Sequence, residues 1–184
     1  MTYRFAEFPA RQLYTFLTNA TTGIAARCTA INADINDGTN LPTSWTFPQF
    51  QPDRGLYLPM CLIEWSEDEA GEVVIDDAPY HTRYYVSLIM GASSTQLQRG
   101  AEALLRMRAQ RVLRECFDTT KGGGGTWNGH TLSAANGASR VINARLRRVH
   151  SGPLVSFTDL NNTRAIVIVG EVETLHEESQ SPTA

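Results

Sequence analysis

Tyr80-His81-Thr82-Arg83-Tyr84-Tyr85-Val86-Ser87-Leu88-Ile89-Met90 is the stretch that decides the fold class. Tyr84, Val86, Leu88 and Met90 fall on one side of an extended chain, and Arg83, Tyr85 and Ser87 on the other. A period of two carried by β-branched and aromatic residues predicts a half-buried strand. Residues 164–175, built on Ile166, Val167, Ile168, Val169 and Val172, predict the strongest strand of the chain. Residues 140–149 alternate as well, with Ile142, Ala144 and Leu146 inward and Asn143, Arg145 and Arg147 outward. Asp159-Leu160-Asn161-Asn162 supplies the turn between these two. Upstream, residues 56–65 are mostly apolar, and Pro59 places that strand at an edge or a bulge. Glu67-Asp68-Glu69-Ala70-Gly71-Glu72 reads as a turn, and Val73-Val74-Ile75 as a short strand.

Helical spacing brackets these strands. From Ala10 onward, Leu13, Phe16, Leu17, Ala20, Ile24 and Ala25 recur every three or four residues, predicting one helix that fades by about Thr29. Pro9 sits at its start, where a missing N–H costs little. A second helix, with Ser93, Ser94 and Thr95 as possible N-caps, carries Leu97, Ala101, Leu105, Ala109, Val112, Leu113 and Cys116 as one apolar stripe. Its other sides hold Arg99, Arg106, Arg108, Arg111 and Arg114. Arg108 and Arg111 gain nothing from each other, so they need carboxylates from elsewhere or stay hydrated. The order is α-β-β-β-α-β-β. Strands grouped around helices predict an α+β fold, a mainly antiparallel sheet flanked by two helices. Residues 1–176 form one domain on this reading, with long loops at 34–56 and 121–138 and a polar tail at 177–184.

Composition narrows the function. The chain has 184 residues, about one domain at roughly 150 residues each. Its net charge of −3 is not the footprint of a general nucleic-acid binder. No run approaches a membrane span and the start lacks the apolar core of a signal peptide, so a cytoplasmic site of synthesis is expected. Cys28, Cys61 and Cys116 stand far apart with no CxxC, which fits reduced, buried thiols. Lys121 is the only lysine among 16 basic residues. Arginine keeps its charge and is enriched at protein interfaces, although GC-rich coding has the same effect.

Catalytic signatures are missing. Lys121 precedes the glycines 122–125 instead of following them, so the segment is a linker rather than a phosphate-binding loop. There is no G-x-G-x-x-G after a strand, no G-x-S-x-G and no H-E-x-x-H. His81, His130, His150 and His176 stand singly. Asp76, Asp77 and His81 could share an ion but read as a solvated turn. Glu67, Asp68 and Glu69 read as hydrated acids rather than an acid–base pair. The expectation is no catalytic residue, no cofactor and no metal.

What remains is segregated charge. Acids gather at Glu64, Glu67, Asp68, Glu69, Glu72, Asp76 and Asp77, and again at Glu171, Glu173, Glu177 and Glu178. Bases gather on the second helix and at Arg140, Arg145, Arg147 and Arg148. Either these are solvated faces, or one subunit's acidic hairpin meets the Arg-bearing face of the next in a head-to-tail contact. In the second case Glu67, Asp68, Glu69, Arg106, Arg108, Arg111, Arg145 and Arg147 are interface candidates. Trp45 and Phe47 join them as rings on a docking arm at 34–56, unless they tuck back onto their own sheet.

Three features together resemble the tail terminator and neck proteins of tailed bacteriophages. The helix near Pro9-Ala10-Arg11-Gln12-Leu13 precedes a hairpin with the acidic turn Glu67-Asp68-Glu69-Ala70-Gly71. The strand Tyr84-Tyr85-Val86-Ser87-Leu88-Ile89 leads into Leu97-Gln98-Arg99-Gly100-Ala101-Glu102-Ala103-Leu104. The closing strand is Ala165-Ile166-Val167-Ile168-Val169-Gly170-Glu171-Val172. The resemblance covers most of residues 8–176. It implies a virion structural protein assembled in the host cytoplasm as a homohexameric ring. Such a ring contacts the tail tube protein and the head-tail connector, as terminator or as adaptor, and DNA passes through it without specific binding. A bore lined more by Asp and Glu than by Arg is expected, because a basic bore would hold phosphates by counterion release. The other reading is a non-catalytic α+β binding module, monomeric or dimeric, taking a small ligand between sheet and second helix.

Overall fold

The computed structural model describes residues 7–51, 57–65, 80–91, 100–118, 140–157 and 163–177. Along them run α1 (Glu7–Leu17), α2 (Ile24–Ile35), β1 (Met60–Trp65), β2 (Tyr80–Gly91), α3 (Ala101–Cys116), β3 (Arg140–Ser151), β4 (Val155–Phe157) and β5 (Thr163–Glu177). The strands form one antiparallel sheet in the order β1-β2-β5-β3, and β4 pairs with the start of β5. The chain is α+β, as the alternation of β2 and β5 predicts. The expected strand at 73–75, the N-cap candidates 93–95 and the segments 121–138 and 178–184 lie outside the described residues.

β2 and β5 form the centre, in register from Tyr80 opposite His176 to Gly91 opposite Ala165. Tyr84, Val86, Leu88 and Met90 face the same side as Ile166, Ile168 and Val172 and are buried. Cys61 and Ile63 of β1 extend that face. The helices cover it with Leu13, Phe16 and Leu17, with Ile24, Cys28 and Ile31, and with Leu105, Ala109, Val112, Leu113 and Cys116. The result is two layers around the main core, with α3 over β5 and β3 and α1 against β1, and a smaller buried cluster of Met60, Ile89 and Ala165 on the sheet's other face.

Gly170 of β5 lies close against Leu113 of α3 and Leu146 of β3. A Cβ there would stand 3.1 Å from Leu113 Cδ1 and 3.2 Å from Leu146 Cδ1. Gly170→Val is therefore expected to destabilise the fold by about 1–3 kcal/mol through overpacking. A urea denaturation midpoint equal to that of the parent would contradict this close approach.

Three sequence expectations change. The helix expected over 10–29 is two helices, broken at residues 18–23. The three- and four-residue spacing persists through the break, but polar side chains there bond to the backbone instead. Asn19 Oδ1 accepts from the Thr21 and Thr22 amides (2.9 and 3.1 Å) and from the Thr21 hydroxyl (2.8 Å). Only glycine fits at position 23, since a Cβ would stand 2.4 Å from the Leu17 carbonyl oxygen.

The second change concerns residues 34–56. α2 continues to Ile35, and Asn36 ends it in the left-handed region at φ 43°. The loop then folds back along β1. Thr46 N donates to Pro59 O (3.1 Å), Cys61 N donates to Thr46 O (2.8 Å), and the Gln49 amide bonds both the N–H and the C=O of Ile63. That loop satisfies an edge that would otherwise invite strand pairing. Asn32 grips the loop's start, bonding the Leu41 N–H and C=O at 2.8 Å each. Trp45 and Phe47 are buried in this chain's own core, with Tyr14 stacked on Phe50 and edge-on to Phe47. The docking-arm expectation for Trp45 and Phe47 is thus corrected: apolar rings beside an unfilled end of the core close it.

The third change is in β3. Bulges between Val141 and Asn143 and between Leu146 and Arg148 break its simple alternation. The second bulge lets Arg147 and Arg148 both reach acids of β5.

Candidate functional site

The sheet face turned away from the helices carries an ionic ladder. β5 places Glu171 and Glu173 there, two residues apart, with Arg83 of β2 on one flank and Arg145 and Arg148 of β3 on the other. Glu171 sits between Arg83 Nε (3.2 Å) and Arg148 Nε (2.6 Å), and Glu173 pairs with Arg147 Nε at 3.0 Å. Glu171 is only 6 % exposed, so two guanidiniums compensate one buried carboxylate. Of these, Arg147 was a candidate for meeting the acidic hairpin of another subunit, the alternative being a solvated face. Arg147 reaches Glu173 of its own sheet from the bulge between Leu146 and Arg148, and Arg148 stands opposite Glu171 in the β3–β5 register. Arg145 is exposed.

On α3 the interface candidates also find partners inside the chain. Arg106 donates from Nε to Glu102 (2.7 Å) and from Nη1 to the Gly152 carbonyl (2.7 Å), tying the helix to the end of β3. Arg108 is buried and clamps the turn after α2, donating to the Thr39 carbonyl and the Asp37 carboxylate. Arg111 bonds Glu115 (2.6 Å) and Asp34 (3.0 Å). Those bonds raise its pKa. The carboxylates that Arg108 and Arg111 need thus come from the end of α2 and the turn after it. The Thr39 N–H, and then Arg108, hold the Asp37 carboxyl below its ordinary range. Glu67, Asp68 and Glu69 lie outside the described residues, as do Asp76 and Asp77.

The thiols of Cys28, Cys61 and Cys116 are all free and buried in the core. Burial pushes Cys28 and Cys116 up to about 12 and Cys61 well above its ordinary value. Nucleophilic chemistry needs a thiolate, so these side chains behave as small apolar groups. Among the described residues, no group of three or more His, Cys, Asp or Glu is placed to hold a metal ion. No helix among them is long and apolar enough to cross a membrane.

What the described surface offers beyond charge is apolar exposure. Tyr57, Trp65, Leu104 and Met107 are its exposed large hydrophobics. Beside Leu104 and Met107 lies an open groove of about 360 Å³, lined also by Ile35, Asp37, Arg108 and Arg111. The sequence gives no sign of this groove, because it forms only where the end of α2 and the turn after it meet α3. The space between sheet and α3, expected to take a ligand in the binding-module reading, is filled by Leu105, Ala109, Val112 and Leu113. Comparison with protein-family models, with curated proteins and with solved structures found no match for this chain.

Proposed function

We propose that this chain is a structural subunit that assembles with copies of itself into a ring at the head-tail junction of a tailed bacteriophage. It would act there as a tail terminator or a neck protein, meeting the tail tube on one side and the connector on the other. The supporting observation is where the sticky surface lies. The described arginines of the sheet and of α3 are largely committed to holding the fold, while large hydrophobics stay exposed in two different places, at the end of β1 and on α3. A subunit with two unlike adhesive surfaces suits head-to-tail association, which closes into a ring when the rotation per subunit divides the circle. The family resemblance supplies the location in the virion. Asp and Glu lining the bore would let DNA slide; a ring structure with an Arg-lined bore would refute that part.

The test is mass and morphology. Light scattering with negative-stain imaging of the purified chain should show rings, and mass spectrometry of purified virions should find the chain in them. A monomer at tens of micromolar concentration, together with absence from virions, rejects the proposal. The groove on α3 favours a second reading, a binding module that takes an apolar ligand from solution. That reading expects a monomer or dimer whose melting temperature rises with the ligand.

A further inference from the structure

We propose that Asp37-Gly38 is a site of spontaneous isoaspartate formation, and that Arg108 guards it. Asp37-Gly38 is the only Asp-Gly pair in the chain. It lies in the turn after α2, and both residues are exposed. Gly38 has a φ of 82°, and a Cβ there would meet nothing within 4 Å, so its backbone is open to water. With no side chain, Gly38 also leaves its amide nitrogen unshielded toward the carboxyl that precedes it. The chemistry needs nothing but water. With the Asp37 carboxyl un-ionised, the Gly38 nitrogen attacks Cγ and the N–Cγ bond forms. Water leaves, taking one carboxyl oxygen, the carboxyl proton and the amide proton. The resulting succinimide then takes up water at either carbonyl, which breaks that carbonyl's bond to nitrogen. Opening at Cγ restores Asp37. Opening at the main-chain carbonyl leaves the chain running through Cγ, with a free carboxylate on Cα and the mass unchanged.

In the folded chain both carboxyl oxygens are engaged. Oδ1 accepts from the Thr39 N–H at 2.9 Å, and Oδ2 pairs with Arg108 Nη2. Arg108 is itself buried and also donates to the Thr39 carbonyl, so the guanidinium is anchored on both sides of the turn. Donors of this kind favour the ionised carboxylate, which is the unreactive form. The Asp37 carboxyl is held below its ordinary range by the Thr39 N–H and then by Arg108. To react, it must take up a proton and give up the Arg108 bond. The product does not restore the clamp. Its backbone is one methylene longer, and its carboxylate sits directly on Cα, so its oxygens no longer meet Thr39 and Arg108 together. One release of Arg108 followed by ring closure therefore makes the loss of the α2–α3 joint permanent.

Ageing the full chain for weeks at body temperature and neutral pH tests this. Digestion, chromatography and electron-transfer fragmentation then tell isoaspartate from aspartate at equal mass. Isoaspartate at position 37 should accumulate about tenfold or more slowly in the folded parent than in the chain unfolded in urea, and Arg108→Met should remove most of that difference. Arg108→Lys keeps the stem and the charge but loses the fork, so its rate should fall between parent and Arg108→Met, and it serves if the methionine variant does not fold. Gly170→Val lowers stability without touching the turn and should stay near the parent's rate. Equal rates in the folded and unfolded parent, or Arg108 variants no faster than Gly170→Val, overturn the guard. No isoaspartate at 37 even in the unfolded chain overturns the site. Peptides carrying isoaspartate elute apart from those carrying Asp37, so one aged sample reads amide exchange over residues 36–41 in both forms. The isoaspartate form should exchange faster, and equal exchange would show that the clamp survives the modification and overturn its permanence.

Discussion

Alkylation of Cys28 and Cys116 at pH 8 is expected to run about a thousandfold slower in the folded chain than in the urea-unfolded one. The thiolate is the reactive form, and burial moves both thiols from an ordinary 9.0 to about 12. Three pKa units are a factor of about a thousand in thiolate, before any exclusion of the reagent itself. Cys61 is pushed up by the same cause and should be at least as protected. Iodoacetamide labelling followed by intact-mass measurement reads this directly. Rapid modification of any of the three in buffer would show that the core opens there.

The same shift has a signed consequence for stability. Above pH 9 the unfolded chain releases thiol protons that the folded chain retains. Stability is therefore fully present below pH 9 and falls as pH rises from 9 toward 12, on the order of 1 kcal/mol per pH unit for each thiol. Urea midpoints at pH 8 and pH 10 check the sign. Cys28→Ala together with Cys116→Ala should flatten the slope.

Arg108→Ala is expected to destabilise the fold by about 2–4 kcal/mol. It removes charge-assisted hydrogen bonds to Asp37 and Thr39 and leaves a gap where the aliphatic stem packs. Arg108→Met, which keeps the stem, should recover part of that loss. Because the clamp joins α3 to the turn after α2, its release should also speed amide exchange over residues 36–41 more than in β2 or β5. Uniform acceleration everywhere would mean that Arg108 acts only through global stability. Asp37 adds an acid-side sensitivity. Its carboxyl is held below its ordinary 3.8, so its contribution is present above that value and is lost as pH falls through the lowered one. The contribution is small because the carboxyl is exposed, and Arg108→Met should reduce it.

The central strands and α3 are legible in the sequence because periodicity carries them. Tyr84, Val86, Leu88 and Met90 can share a face only in a strand, and Leu105, Ala109, Val112, Leu113 and Cys116 only on a helix. The break between α1 and α2 is not legible in the same way. The apolar spacing runs straight through it, and what stops the helix is a local competition at Asn19, Thr21 and Gly23 that period counting ignores. The loop over 36–51 is further out of reach. Its place depends on Asn32 and Gln49 finding backbone groups far along the chain, and polar side chains give no sign of which distant carbonyl they will meet. The charged candidates fail for a related reason. Whether Arg147 meets its own Glu173 or another subunit's acid is decided by strand register and by one bulge. The exposed pair Leu104 and Met107 was visible as residues, but their exposure appears only once the buried side of α3 is known.

β5 touches β2, β3 and β4, yet it is the last of these elements along the sequence. While the ribosome is still making residues 163–177, β2 has no neighbour on one side and β3 has none at all among the described strands. Every nascent chain therefore passes through a stage with apolar strand faces waiting for the piece that joins them. Pairings such as Tyr80 with His176 span a long contour, which slows closure. Folding efficiency in a crowded host would then be set by how quickly β5 finds the strands made before it. A stalled or shortened product would be a substrate for chaperones and proteases rather than a partly working subunit.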